Sequence, residues 1–276
     1  MLRPLLLACT VGTSVLFVGC TCTCAGTDPG AVASEESTAS VPSGHMVVGV
    51  TSDGRELETY EARLVEEAST LVPFVEEFCG RAFTEDLAIF FPTWDEWTAI
   101  LDEDYEGARD VSLMYDLVWS WYDPAEARVV VSPNYVFNFD GDGPFTHADE
   151  AYLADGRHFA VGAFVPSITN ALDERTLGLM SRMESAPDKR TKSSLMTLTT
   201  GHGVLAQDAW CVAHGFPDVF ESWHGRNRSS REYVGRNYLR RLQLAGGREA
   251  VEAALVGEPP TPIEIRRGNA RNPDLE

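Results

Sequence analysis

The chain has 276 residues, with 22 Lys+Arg against 42 Asp+Glu, a formal charge of −20, and 44% apolar and 10% aromatic residues. That apolar share supplies a core for one large domain or two small ones and excludes wholesale disorder. The negative charge excludes nucleic acid as a partner, because binding a phosphate backbone needs clustered Lys and Arg to displace counterions.

Residues 1–19 carry one basic residue and an apolar stretch ending in a small residue before Cys20. This is the pattern of a secretory signal, too short and wrongly flanked for a stable membrane span. The run Phe17-Val18-Gly19-Cys20 resembles a bacterial lipobox, whose Cys takes a diacylglycerol and becomes the mature N-terminus. Phe17 stands where Leu is usual, and an ordinary signal peptide with an incidental Cys is the alternative. The lipobox reading makes Cys20 the lipidation site and anchors the protein in the cell envelope, outside the cytoplasm. Thr21, not Asp, follows Cys20, which points to the outer membrane if the host has two. No later apolar run reaches the ~18 residues that a span needs. Residues 20–44 are rich in Ser, Thr, Ala, Gly and Pro, and such a segment is expected to be a flexible tether.

The folded domain is expected over residues 46–256. It opens with a strand near Met46 and a turn at Asp53-Gly54. Leu64, Ala68, Leu71, Val75 and Phe78 recur at helical spacing over 58–78, with Pro73 as a kink and Gly80 as the C-terminal cap. Leu87–Phe91 is a short strand stopped by Pro92, and Thr93 with Glu96 forms a capping box opening a helix that carries Trp97 and Ile100. Residues 117–122 and 128–132 are two strands around an Asp123-Pro124 turn. Trp119 and Trp121 would share a sheet face, in core or edge packing before any peptide or sugar groove. Helices follow near 158–172, 174–184, 193–212, 217–224, 229–244 and 247–256, and the Pro-rich tail 257–276 is extended or frayed. The order gives an α+β fold: a small N-terminal antiparallel or mixed sheet with one long helix, then a mainly helical C-terminal half.

These elements resemble, in order, the thermolysin-like (gluzincin) zinc peptidases, in particular small peptidase MA-like bacterial domains. The residues that carry the resemblance are the long helix ending at Gly80, the strand and Trp-bearing helix of LAIFFPTWDEW, and Trp121-Tyr122-Asp123-Pro124 leading into an edge strand, ARVVV. REYVGRNYLRRL and GGREAVEAAL stand where the family has its closing helices, with 133–193 as an insertion. The resemblance implies a catalytic helix with H-E-x-x-H and a third ligand about 20 residues on. Leu198-Thr199-Thr200-Gly201-His202 fits that frame with Leu198 in place of the first His, Thr199 in place of the base and His202 as the second His. Ser222 falls in place of the third ligand. A second register, starting at His158, lacks the site as well. Leu offers no lone pair to zinc and Thr is no base near neutral pH, so the implied domain is a pseudo-peptidase that binds peptide or protein without cleaving it.

Two further readings stay open: an active hydrolase with unusual metal ligands, and a structural envelope lipoprotein of unrelated fold. For the first, Glu221 and His224 lie one helical turn apart and could join His202 on zinc, or the ligands could include His147 and His158. Asn138, Asp140, Asp142 and Asp149 imitate a calcium loop, with a Gly/Asp-rich surface turn as the plainer alternative. Cys79 and Cys211 are either a disulfide or two buried thiols. The Arg-rich stretch 226–248 reads as a solvated face opposite the acidic half.

Overall fold

The computed structural model describes residues 44–104, 120–133, 162, 164–215 and 230–269, all within one unit, Ala39–Glu276. The fold is α+β: a four-stranded mixed sheet with its helices, followed by a mainly helical half. Strands β1 (Val47–Thr51), β2 (Leu87–Phe91), β3 (Ser120–Asp123) and β4 (Arg128–Val131) lie in the order β1-β2-β4-β3. The pairs β1–β2 and β2–β4 are parallel, with Ile89 opposite Gly49 and Val129, while β3 runs antiparallel to β4. Arg128–Val131 is therefore an inner strand and β3 forms the edge, reversing the expected placement of the edge strand. The physical reason lies in Val129, Val130 and Val131, which are all buried, as a strand covered on both faces requires.

Alternation along the strands divides the side chains between two layers. Leu87, Ile89, Phe91, Tyr122, Val129 and Val131 face the main core, against helix α1 (Thr59–Cys79) and helix α3 (Val165–Leu177). Phe90 and Val130 face the other way, under Trp97 of helix α2 (Trp94–Asp104). Trp121 joins them with its ring 4.8 Å from that of Trp97, so it packs rather than lining a groove. Trp119 lies outside the described residues.

Helix α1 starts at a capping box in which Glu58 and Glu61 exchange side-chain and backbone bonds. It runs through Pro73 and ends at Gly80, whose φ of 65° supplies the left-handed cap. The box expected at Thr93 and Glu96 forms as well. Arg175 of α3 joins this helix to the sheet by donating to the carbonyls of Glu85, Asp86 and Ala127.

The helical half departs from expectation at its boundaries. The break expected near residue 173 falls at Gly178, where φ is 62° and the amide donates to the Glu174 carbonyl. Asp173 is consequently inside a helix. The short α4 (Leu179–Glu184) follows, and α5 (Lys189–Ala213) begins at Asp188, whose carboxylate accepts from the amides of Arg190 and Thr191. Helix α6 (Arg231–Val256) contains the expected interruption at Gly246 and Gly247. The tail is not simply extended: Pro262–Asn269 forms α7, opened by a Thr261–Glu264 box and fixed by the buried Ile265. Burying a side chain of that size offsets the ordering cost of two turns by ~1.5–3 kcal/mol. The helix expected at 217–224 lies outside the described residues.

Candidate functional site

The polar chemistry of the core meets where α1, α3 and α5 converge. Asp173 of α3 has no exposed surface, and His202 of α5 is almost as deeply buried. The His202 Nδ1 lies 2.7 Å from Asp173 Oδ2. The other carboxylate oxygen, Oδ1, accepts from Arg81 Nη2 at 2.5 Å, and Arg81 Nη1 donates to Thr176 Oγ1. Gly80 turns the chain at the end of α1, so Cys79 is the last residue of that helix and Arg81 the first beyond the cap. The thiol of Cys79, a carboxylate oxygen of Asp173 and an imidazole nitrogen of His202 lie within 4.8 Å of one another, all three residues buried. Burial and the Asp173 carboxylate push the Cys79 thiol well above its ordinary range, so it is a neutral thiol at physiological pH. Phe78 covers the imidazole, with ring centroids 5.7 Å apart.

Two glycines of α5 let its neighbours approach closely, Gly203 on the α3 side where this contact lies and Gly201 on the α6 side. A Cβ on Gly201 would lie 2.4 Å from the backbone of Gly235 in α6, and one on Gly203 would lie 3.0 Å from Pro166 in α3. The Gly-His-Gly run thus sends its glycines toward two different helices while His202 reaches a third contact, Asp173. Across the α5–α6 contact, Arg236 is buried and donates to Asp208 Oδ2 at 2.6 Å.

Of the described residues assigned to the peptidase frame, His202 alone belongs to this cluster. Leu198 packs with Leu205, Leu239 and Leu255 in a separate apolar layer against α6. The Thr199 hydroxyl donates to the Leu195 carbonyl of its own helix. Neither presents a ligand or base to His202, so zinc does not fit that frame. Ser222, Glu221 and His224, and also His147 and His158, lie outside the described residues, as do Cys20 and the calcium-loop positions Asn138, Asp140, Asp142 and Asp149. Cys79 and Cys211 are separate, free, buried thiols rather than a bridge. Burial, aided by Asp208, raises the Cys211 thiol to about 11. Asp173 and Arg81 were invisible to spacing arguments. The signal for Asp173 was a helix phase: it shares the buried face of α3 with Val165, Ile168 and Leu172 once that helix runs past residue 173.

An open cleft of ≈ 400 Å³ lies elsewhere, among α5, α6 and α7, with Thr197, Arg231 and Arg266 on its walls. No helix among the described residues is long and apolar enough to cross a membrane. No protein-family model matches the chain, and no curated protein or solved structure is significantly similar to it.

Proposed function

We propose that the chain is a lipid-anchored protein of the bacterial cell envelope whose domain follows a zinc-peptidase-like plan and binds a peptide or protein without hydrolysing it. The observation that carries this reading is the closure of Asp173 by two partners, Arg81 and His202. A hydrolytic metal site keeps one coordination position open and sets a base beside it. Here the acid is occupied on both oxygens, and Asp173 and His202 are both buried.

A mixed sheet followed by a mainly helical half supports the same plan. Helix α3 is joined to the edge strand β3 by a 2.8 Å hydrogen bond between Ser167 and Ser120. In the peptidase frame on α5, Leu198 and Thr199 stand where the first ligand and the base would be, and neither can serve. A ligand would reach the domain from its surface, where the cleft among α5, α6 and α7 offers two arginines and is open to solvent.

The test is to incubate the purified full chain, with and without added zinc, with a complex peptide mixture and to search for new termini by mass spectrometry. No new termini are expected under either condition. Cleavage that chelator removes and His202→Gln abolishes would overturn the reading in favour of an active metallohydrolase.

A further inference from the structure

We propose that Cys79, Asp173 and His202 bind a divalent transition-metal ion of the zinc type, in a buried site that fastens α1, α3 and α5 together. The inference rests on the cluster itself and does not depend on the peptidase-like plan.

The donor set is the first ground. A thiol sulfur, a carboxylate oxygen and an imidazole nitrogen lie within 4.8 Å of one another, and they come from three different helices. A zinc-type ion needs sulfur at ~2.3 Å and nitrogen or oxygen at ~2.0–2.2 Å from a common centre, which sets tetrahedral donors about 3.3–3.8 Å apart. The sulfur therefore has to draw in by about 1 Å at most, while the 2.7 Å contact between Asp173 Oδ2 and His202 Nδ1 opens by several tenths. Rotamer adjustments of this size need no movement of the helices.

The surroundings of the donors are the second ground. Arg81 holds Asp173 through Oδ1 alone, leaving Oδ2 directed at the imidazole. A metal-bound carboxylate is ordinarily fixed in this way by a donor on its free oxygen. Phe78 lies over the imidazole and limits its rotation. The ion would displace the thiol proton to solvent and form a metal–sulfur bond. Thiolate and carboxylate then balance the ion's two charges. The guanidinium charge that remains is not sealed in, since the Arg81 side chain keeps 12% of its surface exposed. Each ligand sits on a packed helix, and no substrate carbonyl can approach donors this deeply buried, so the ion would serve stability rather than catalysis.

Cobalt(II) is the probe. The full chain, purified in detergent and stripped with chelator, is titrated with cobalt while its absorption is recorded. The expected result is saturation at one equivalent, with a near-ultraviolet thiolate-to-cobalt band and visible bands of tetrahedral intensity. Cys22→Ser/Cys24→Ser, in the tether, should keep the band; Cys79→Ser should remove it; and His202→Gln should weaken cobalt binding at least 10-fold. Zinc-edge X-ray absorption on the wild-type chain serves if the core variants do not fold, and should show one sulfur at ~2.3 Å beside lighter donors. Absence of the band at saturating cobalt, its survival in Cys79→Ser, its loss in the tether variant, or a zinc shell without sulfur would each overturn the proposal. Peptide cleavage is not read in these experiments, so their failure is distinct from failure of the non-hydrolytic reading.

Discussion

A carboxylate with no exposed surface persists in a core only when donors meet both of its oxygens, because an unpaired buried charge costs several kcal/mol. Asp173 meets that condition through Arg81 and His202. Glu61 meets it differently, gripped by both terminal nitrogens of Arg55 at 2.7 and 2.6 Å and by the Glu58 amide. Burial pushes the Glu61 carboxyl upward, but the Arg55 and Glu58 hydrogen bonds outweigh it and leave the group below the usual carboxylate range. A carboxyl depressed on folding contributes stability above its unfolded pKa, and that contribution is lost as pH falls through the folded value. Glu61→Gln should therefore cost about 1.5–3 kcal/mol at neutral pH, toward the low end because Arg55 is one-third exposed. Urea titrations of both proteins across the acid range should show the difference shrinking below about pH 4. A difference that stays constant with pH would mean that the ion pair is not its source. His202 was legible in the sequence through its fit to the second His of the peptidase frame. Asp173 and Arg81 did not, since a lone acid or base beside a turn is the commonest pattern on any surface.

Helix α5 owes its position to its glycines as much as to its apolar residues. A Cβ on Gly235 would come within 2.0 Å of the Thr197 carbonyl oxygen, a backbone atom that cannot move aside. Gly235→Ala should destabilise the domain by at least about 2 kcal/mol, because overpacking outweighs the ~1 kcal/mol of helix propensity gained. Gly203→Ala meets Pro166 only at 3.0 Å and should change stability by no more than about 1 kcal/mol. Thermal or urea midpoints of the two variants test the contrast, and equal losses would show that the close approach is on another face. The sequence made the helices legible through their periodicity and the caps through Gly80 and Thr93, but not the Asp188 cap, which starts α5 four residues before the expected 193. It hid the α3 boundary, because the polar run Asp173–Thr176 read as a break between two helices and not as the last turns of one. It hid α7 too, where three prolines and a polar composition masked the buried apolar anchor, Ile265.

At the scale of the molecule, the alternation of Leu87–Phe91 and the valines of β4 made the sheet legible, whereas the strand order was not, since pairing partners leave no periodic trace. The tether and its anchor belong to this scale. On the proposed lipid anchor, Cys20→Ser should block lipid attachment and move the chain from the membrane to the soluble fraction, with the domain's unfolding midpoint unchanged. Wild-type protein that is soluble, takes up no labelled palmitate and starts elsewhere than Cys20 would contradict the anchor. The central claim is that α3 and α5 meet through a buried acid–imidazole contact between Asp173 and His202. Its most direct test is a double-mutant cycle with Asp173→Asn and His202→Gln in the chelator-treated chain, read by urea unfolding. A coupling of about 1 kcal/mol or more is expected for residues in such contact, whereas effects that add within about 0.3–0.5 kcal/mol would show that the two side chains do not meet.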